Sequence, residues 1–185
     1  MGKTECAQLV AESIRATGAR VAVVEENVDS WFANRDDDDE TNVHARILLD
    51  HLERRESVGS AVTDEFDVVL VERHPTTTLR VFDPPRRVAA LYEAVGRAVP
   101  DFLEPPERTV YVKNSARSCR ERATRRNRER ERGLDERAFD VWDERLETMM
   151  RERENAGKEV FVFDTFGADS SQVVPAIVRC LGYDR

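Results

Sequence analysis

Three groups of residues in this chain have types and spacings that suit phosphate chemistry. Gly2-Lys3-Thr4 leads straight into a helical pattern running from Glu5 to Ala16, and reads as the second half of a G-x-x-x-x-G-K-[ST] phosphate loop. In such a loop backbone N–H groups cradle phosphates at a helix N-terminus, Lys3 reaches the outer phosphates and the Thr4 hydroxyl holds Mg²⁺. A frayed basic terminus would read the same way in isolation. Acids and bases also stand directly after short apolar runs, as Glu25-Glu26, Glu72-Arg73-His74, Lys113-Asn114 and Asp164-Thr165. Finally, Arg117 to Arg132 holds eight Arg and three Glu in sixteen residues, ending at Gly133. That run suits either phosphate neutralisation or a solvated helix laced with i,i+4 ion pairs.

These groups must be positioned by the elements around them. Val21-Ala-Val-Val24, Val68-Val-Leu-Val71, Val110-Tyr-Val112 and Val160-Phe-Val-Phe163 are β-branched or aromatic runs that end abruptly in polar residues, as buried parallel strands do. Between them the apolar spacing predicts helices over roughly 4–17, 42–55, 86–98, 115–131, 135–156 and 170–181. Strands alternating with helices imply a parallel sheet covered on both faces, and ligands of such sheets gather outside the carboxyl ends of the strands. The charged residues after each run are therefore where function is expected. Arg35-Asp-Asp-Asp-Asp-Glu40 reads as a solvated acidic loop, with a metal-binding role the weaker alternative.

The 185 residues suit a single domain, and 29 Lys+Arg against 37 Asp+Glu give a net charge of −8. That field repels polyanions and argues against a nucleic-acid-coating protein, so any phosphate site must be local. Apolar residues at 40% are enough for a core. No apolar run reaches the ~18–20 residues of a membrane span, so no membrane partner is expected. Cys6, Cys119 and Cys180 are odd in number and lack CxxC spacing, which suits reduced thiols in a cytosolic or nuclear compartment.

Four segments in order, Gly2-Lys3-Thr4, Val24-Glu25-Glu26-Asn27-Val28-Asp29-Ser30-Trp31, Val71-Glu72-Arg73-His74-Pro75 and the arginine-rich Glu121-Arg122 to Glu131, resemble deoxynucleoside kinases of the P-loop type, closest to herpesvirus-type thymidine kinases. The resemblance spans most of the chain. It implies a P-loop NTPase-type three-layer α/β/α domain over residues 1–185, with an arginine-rich lid at 117–133. In these folds the strand feeding the phosphate loop is central. Neither it nor the loop's first glycine is in the sequence, so the expectation is that the chain starts inside the loop and that about 10–20 residues precede it in the natural protein.

The activity implied is transfer of the γ-phosphate of ATP, with Mg²⁺, to the 5′-hydroxyl of a deoxynucleoside, with thymidine the first choice and another deoxynucleoside the second. Glu26 would be the base that takes the hydroxyl proton, chosen over Glu25 by its five-residue spacing to Trp31. Trp31 would wall the base pocket. His44 falls where the family places a Gln on the base edge, with Ile47 and His51 on the same helix face and Thr78 lining the pocket. Glu72 would organise Mg²⁺ with Thr4, and Arg73 would reach the 5′ end of the substrate. From the lid, Arg122, Arg126 and Arg128 would bind phosphate and Glu131 the sugar. The sequence departs from the family pattern in having no clear match for the Tyr that contacts the 3′-hydroxyl. The family is often homodimeric, and the apolar spacing at 86–98 and 135–150 permits such an interface. An inactive relative that binds nucleosides is the non-enzymatic alternative. A regulatory GTPase lacks support, because the chain has no N-K-x-D motif.

Overall fold

A computed structural model describes residues 2–28, 40–126, 135–165 and 170–183. The described residues form helices α1 (Lys3–Arg15), α2 (Glu40–Thr63), α3 (Pro75–Val81), α4 (Arg86–Ala98), α5 (Ala116–Arg126), α6 (Glu136–Asn155) and α7 (Ser170–Cys180). Alternating with them are strands β1 (Val21–Val24), β2 (Val68–Val71), β3 (Arg108–Lys113) and β4 (Glu159–Asp164). The chain is thus mixed α/β with parallel strands, as its alternating pattern predicts.

The expected single sheet is instead two parallel pairs, β1 with β2 and β3 with β4. Val21 to Val24 lie opposite Val68 to Val71, and Arg108 to Lys113 opposite Glu159 to Asp164. One helical layer covers both pairs. Cys6, Val10, Ala11 and Ile14 of α1 pack with Val173, Val174, Ile177 and Val178 of α7, and Val23, Val68, Leu70, Val110, Val112 and Phe163 lie against that cluster. These residues alternate along each strand, so one face of both pairs is apolar and faces α1 and α7. On the other face, Val81 of α3 and Met149 and Met150 of α6 bury against Tyr111 and Val160. Leu48, Val88, Tyr92 and Phe102 form a further cluster beneath α2 and α4.

The two pairs are also linked by a polar side chain. Arg153 of α6 donates from Nη1 to Thr109 on β3 and from Nη2 to Thr76 on α3, each at 2.9 Å. Although β2 is wholly apolar, none of its residues is fully buried, and Val71 is 45% exposed.

Two helices differ from the sequence reading. α2 continues past the expected end at 55 to Thr63, with no proline to stop it, although Gly59 and the β-branched Val58, Val62 and Thr63 are poor helix formers. α3 is unexpected and only seven residues long. Pro75 supplies its first residue, and the His74 Nδ1 caps it by accepting the Thr76 amide at 3.3 Å.

Candidate functional site

The register of the first pair builds the site. β1 ends at Val24 opposite Val71, so the residues that follow each strand leave the sheet side by side. The Glu72 amide prolongs the ladder by donating to the Val24 carbonyl at 3.0 Å, and the Glu26 amide donates to Glu72 Oε2 at 3.4 Å. The N-terminus of α1 brings Lys3 to the same carboxyl edge.

Here Lys3 Nζ donates to Glu26 Oε2 at 2.5 Å and stands 4.0 Å from Glu72 Oε2. Arg73 Nε sits 2.9 Å from Glu26 Oε1, and its guanidinium carbon lies 4.6 Å above the centre of the Phe82 ring. The Glu26 and Glu72 side chains are 1% and 3% exposed, whereas Lys3 is half-exposed. Burial alone would push the Glu26 carboxyl up. The charges of Arg73 and Lys3 outweigh it and hold the group below the usual carboxylate range, so Glu26 is a carboxylate at neutral pH. Among the described residues, Glu26 Oε1 and Glu72 Oε1 are buried without an aligned hydrogen bond. Glu26 Oε1 has Arg73 as its ion-pair partner, and Glu72 Oε1 keeps room for a substrate hydroxyl or a hydrated cation.

Beneath them runs a buried polar layer from α2. Asp50 Oδ1 accepts the Asn27 amide at 3.3 Å, and Asp50 Oδ2 accepts Arg54 Nε at 2.9 Å. Arg54 also donates to the carbonyls of Glu72 and Arg73, the latter at 3.2 Å, and to His51 Nδ1. His51 Nε2 then meets Thr78 Oγ1 at 2.9 Å. Since Arg54 can only donate, Nδ1 is the acceptor and Nε2 carries the proton. Burial, then the charges of Arg54 and Arg73, pushes the His51 ring down to about 2, so it is neutral.

The structure therefore brings together Glu26, Glu72 and Arg73, which follow the strands, with Lys3 from the start of α1. Gly2 precedes the first turn of α1, its amide held by Glu5 Oε2 at 3.1 Å, and a Cβ there would meet nothing within 4 Å. Thr4 lies exposed in that turn. His51 and Thr78 are adjacent but spend their polar atoms on each other, and both are almost fully buried. Ile47 is buried with Val43 against Val28, and His44 is half-buried on the same helix. Arg122 lies on α5 and is half-buried. Arg126 ends that helix, with its side chain outside the description; Trp31, Arg128 and Glu131 lie outside the described residues, as does most of the acidic run 35–40.

The other strand ends are occupied. Lys113 pairs with Asp143 at 3.0 Å and with Glu147 of α6, and Thr165 receives Asn114 Nδ2 at 2.9 Å. The sequence reading overlooked Asp50 and Arg54. Their i,i+4 spacing was visible, but it is the spacing of any surface helical ion pair.

Among the described residues no three His, Cys, Asp or Glu side chains converge as a metal cage, so a cation here would depend on water or substrate oxygens. No described helix is long and apolar enough to cross a membrane. Compared with known proteins, the chain matches no family model and no curated sequence.

Proposed function

We propose that this chain phosphorylates the 5′-hydroxyl of a deoxynucleoside, thymidine first among them, using ATP and Mg²⁺. The observation that carries the reading is the meeting of Lys3, Glu26, Glu72 and Arg73, from three separate segments, around a buried carboxylate kept ionised. A hydroxyl is a poor nucleophile at neutral pH, and an ionised carboxylate within hydrogen-bond reach can take its proton as the new bond forms. Glu26 has that charge state. Arg73, paired with Glu26, orients the carboxylate and offers charge to the substrate's 5′ end. Glu72 and Thr4 would hold the hydrated cation, and Lys3 with the open first turn of α1 would hold phosphate oxygens. MgATP supplies the phosphoryl group, its cation screening the charge. Lys3 now holds Glu26 Oε2, so turnover requires this half-exposed side chain to turn away from it.

The same reading makes the domain a P-loop-type α/β/α sandwich. The apolar packing of α1 and α7 on one face of the strands and of α3 and α6 on the other supports it. The Lys3–Glu26 pair favours a second reading, a nucleoside-binding relative without turnover, since it occupies the phosphate-binding cation and the base with each other.

The test is steady-state phosphorylation of thymidine, deoxycytidine and deoxyguanosine by MgATP, with the chain as it stands, one extended upstream through the expected strand, and Glu26→Gln controls. Turnover that the substitution lowers by about 10²–10⁴-fold supports the kinase reading. No turnover in either form, with nucleoside still bound, overturns it in favour of the second.

A further inference from the structure

We infer that the buried Asp50–Arg54 pair of α2 is the positioning device of the site, fixing where Arg73 stands relative to Glu26. The two side chains are 4% and 7% exposed. Removing such a pair from water is costly and often adds nothing to stability, so its role is better sought in what it holds in place. Asp50 spends one oxygen on the Asn27 amide, next to Glu26, and the other on Arg54. Arg54 spends its remaining donors on the Glu72 and Arg73 carbonyls and on His51. The loops after β1 and β2 thus hang from a single ion pair.

What they hold is not a relaxed conformation. Arg73 has φ +45°, a left-handed backbone that residues with a Cβ avoid, and it persists only where surrounding contacts enforce it. That turn aims Nε at Glu26 Oε1, 2.9 Å away. A guanidinium suits the holding role because its planar fork addresses a carboxylate, two carbonyls and an imidazole at once, which an ammonium cannot do. Neither Asp50 nor Arg54 need touch substrate: they act through Arg73 and Glu26.

The kinetic arm of the test rests on the proposed phosphotransfer; the spectroscopic arm does not. Arg54→Lys keeps the charge and loses the fork, and Asp50→Asn keeps the shape and loses an acceptor. Each is first checked for folding by circular dichroism, and either variant suffices if the other unfolds. The Arg73 Nε–H resonance, assigned by its loss in Arg73→Lys, should exchange with solvent about tenfold faster or more in both. The kcat should fall about 10–100-fold while KM for the nucleoside moves less than about threefold. An unchanged resonance in the folded variants overturns the inference, even where the unsubstituted chain is an active kinase. A resonance that responds in a chain without turnover keeps the positioning role and removes the kinase reading instead.

Discussion

Replacing His51 by Gln tests the buried polar layer through its dependence on acid. The neutral ring is 2% exposed and surrounded by Arg54 on its own helix, by Arg73 and His74 on the loop after β2, and by Thr78 and Tyr92 on α3 and α4. Burial comes first among the causes that lower its pKa from 6.5 to about 2, and the nearby cations come next. The unfolded chain takes up this proton near pH 6.5, whereas the folded chain does not. The stability tied to His51 is therefore fully present above about pH 6.5 and is lost, at about 1.4 kcal/mol per pH unit, as pH falls toward 2. Between pH 6.5 and pH 5 the loss is about 2 kcal/mol. Gln can accept from Arg54 and donate to Thr78, yet it does not titrate. Urea unfolding of both chains at pH 7 and pH 5 isolates the effect, because His74 and the carboxylates are common to both and cancel. The cost of His51→Gln should be about 2 kcal/mol smaller at pH 5 than at pH 7. An equal cost at both pH values would refute the account of a neutral, buried imidazole.

On the proposed function, Lys3→Met should weaken ATP binding by tenfold or more, roughly the 1.4 kcal/mol or greater of one lost charged contact, as read by titration calorimetry. Ile14, wholly buried between α1 and α7, should cost about 2–5 kcal/mol on truncation to Ala, measured by chemical denaturation. Asp135 caps α6 by accepting the Ala138 amide at 2.9 Å, and Asp135→Ala should cost about 1 kcal/mol in the same assay.

Where local chemistry decides the structure, the sequence was readable. The runs Val21–Val24 and Val68–Val71 are the observed strands to the residue, and α4 spans the expected 86–98. Because parallel strands in register end together, the meeting of Glu26 with Glu72 and Arg73 followed from the residues after each run. What escaped reading depends on distant partners. α3 is too short for a periodic signal, and Asp50-x-x-x-Arg54 gains its meaning only from two loops, one before and one after it in the chain. The resemblance places His51 and Thr78 near a base pocket, but that they bond each other is a matter of packing between α2 and α3.

The divided sheet carries a consequence for how the protein behaves in concentrated solution. Among the described residues, β2 pairs on one side with β1 alone, and β3 on one side with β4 alone. Among those residues, β2 and β3 therefore each keep one edge without a ladder partner, a template for any extended chain that arrives. Charged residues bracket both edges, Asp67 and Glu72 around one and Arg108 and Lys113 at the ends of the other, in the manner of gatekeepers that slow recruitment. An extended segment that added to either edge would satisfy a whole row of backbone N–H and C=O groups at once, so self-association of the chain should rise steeply with its concentration.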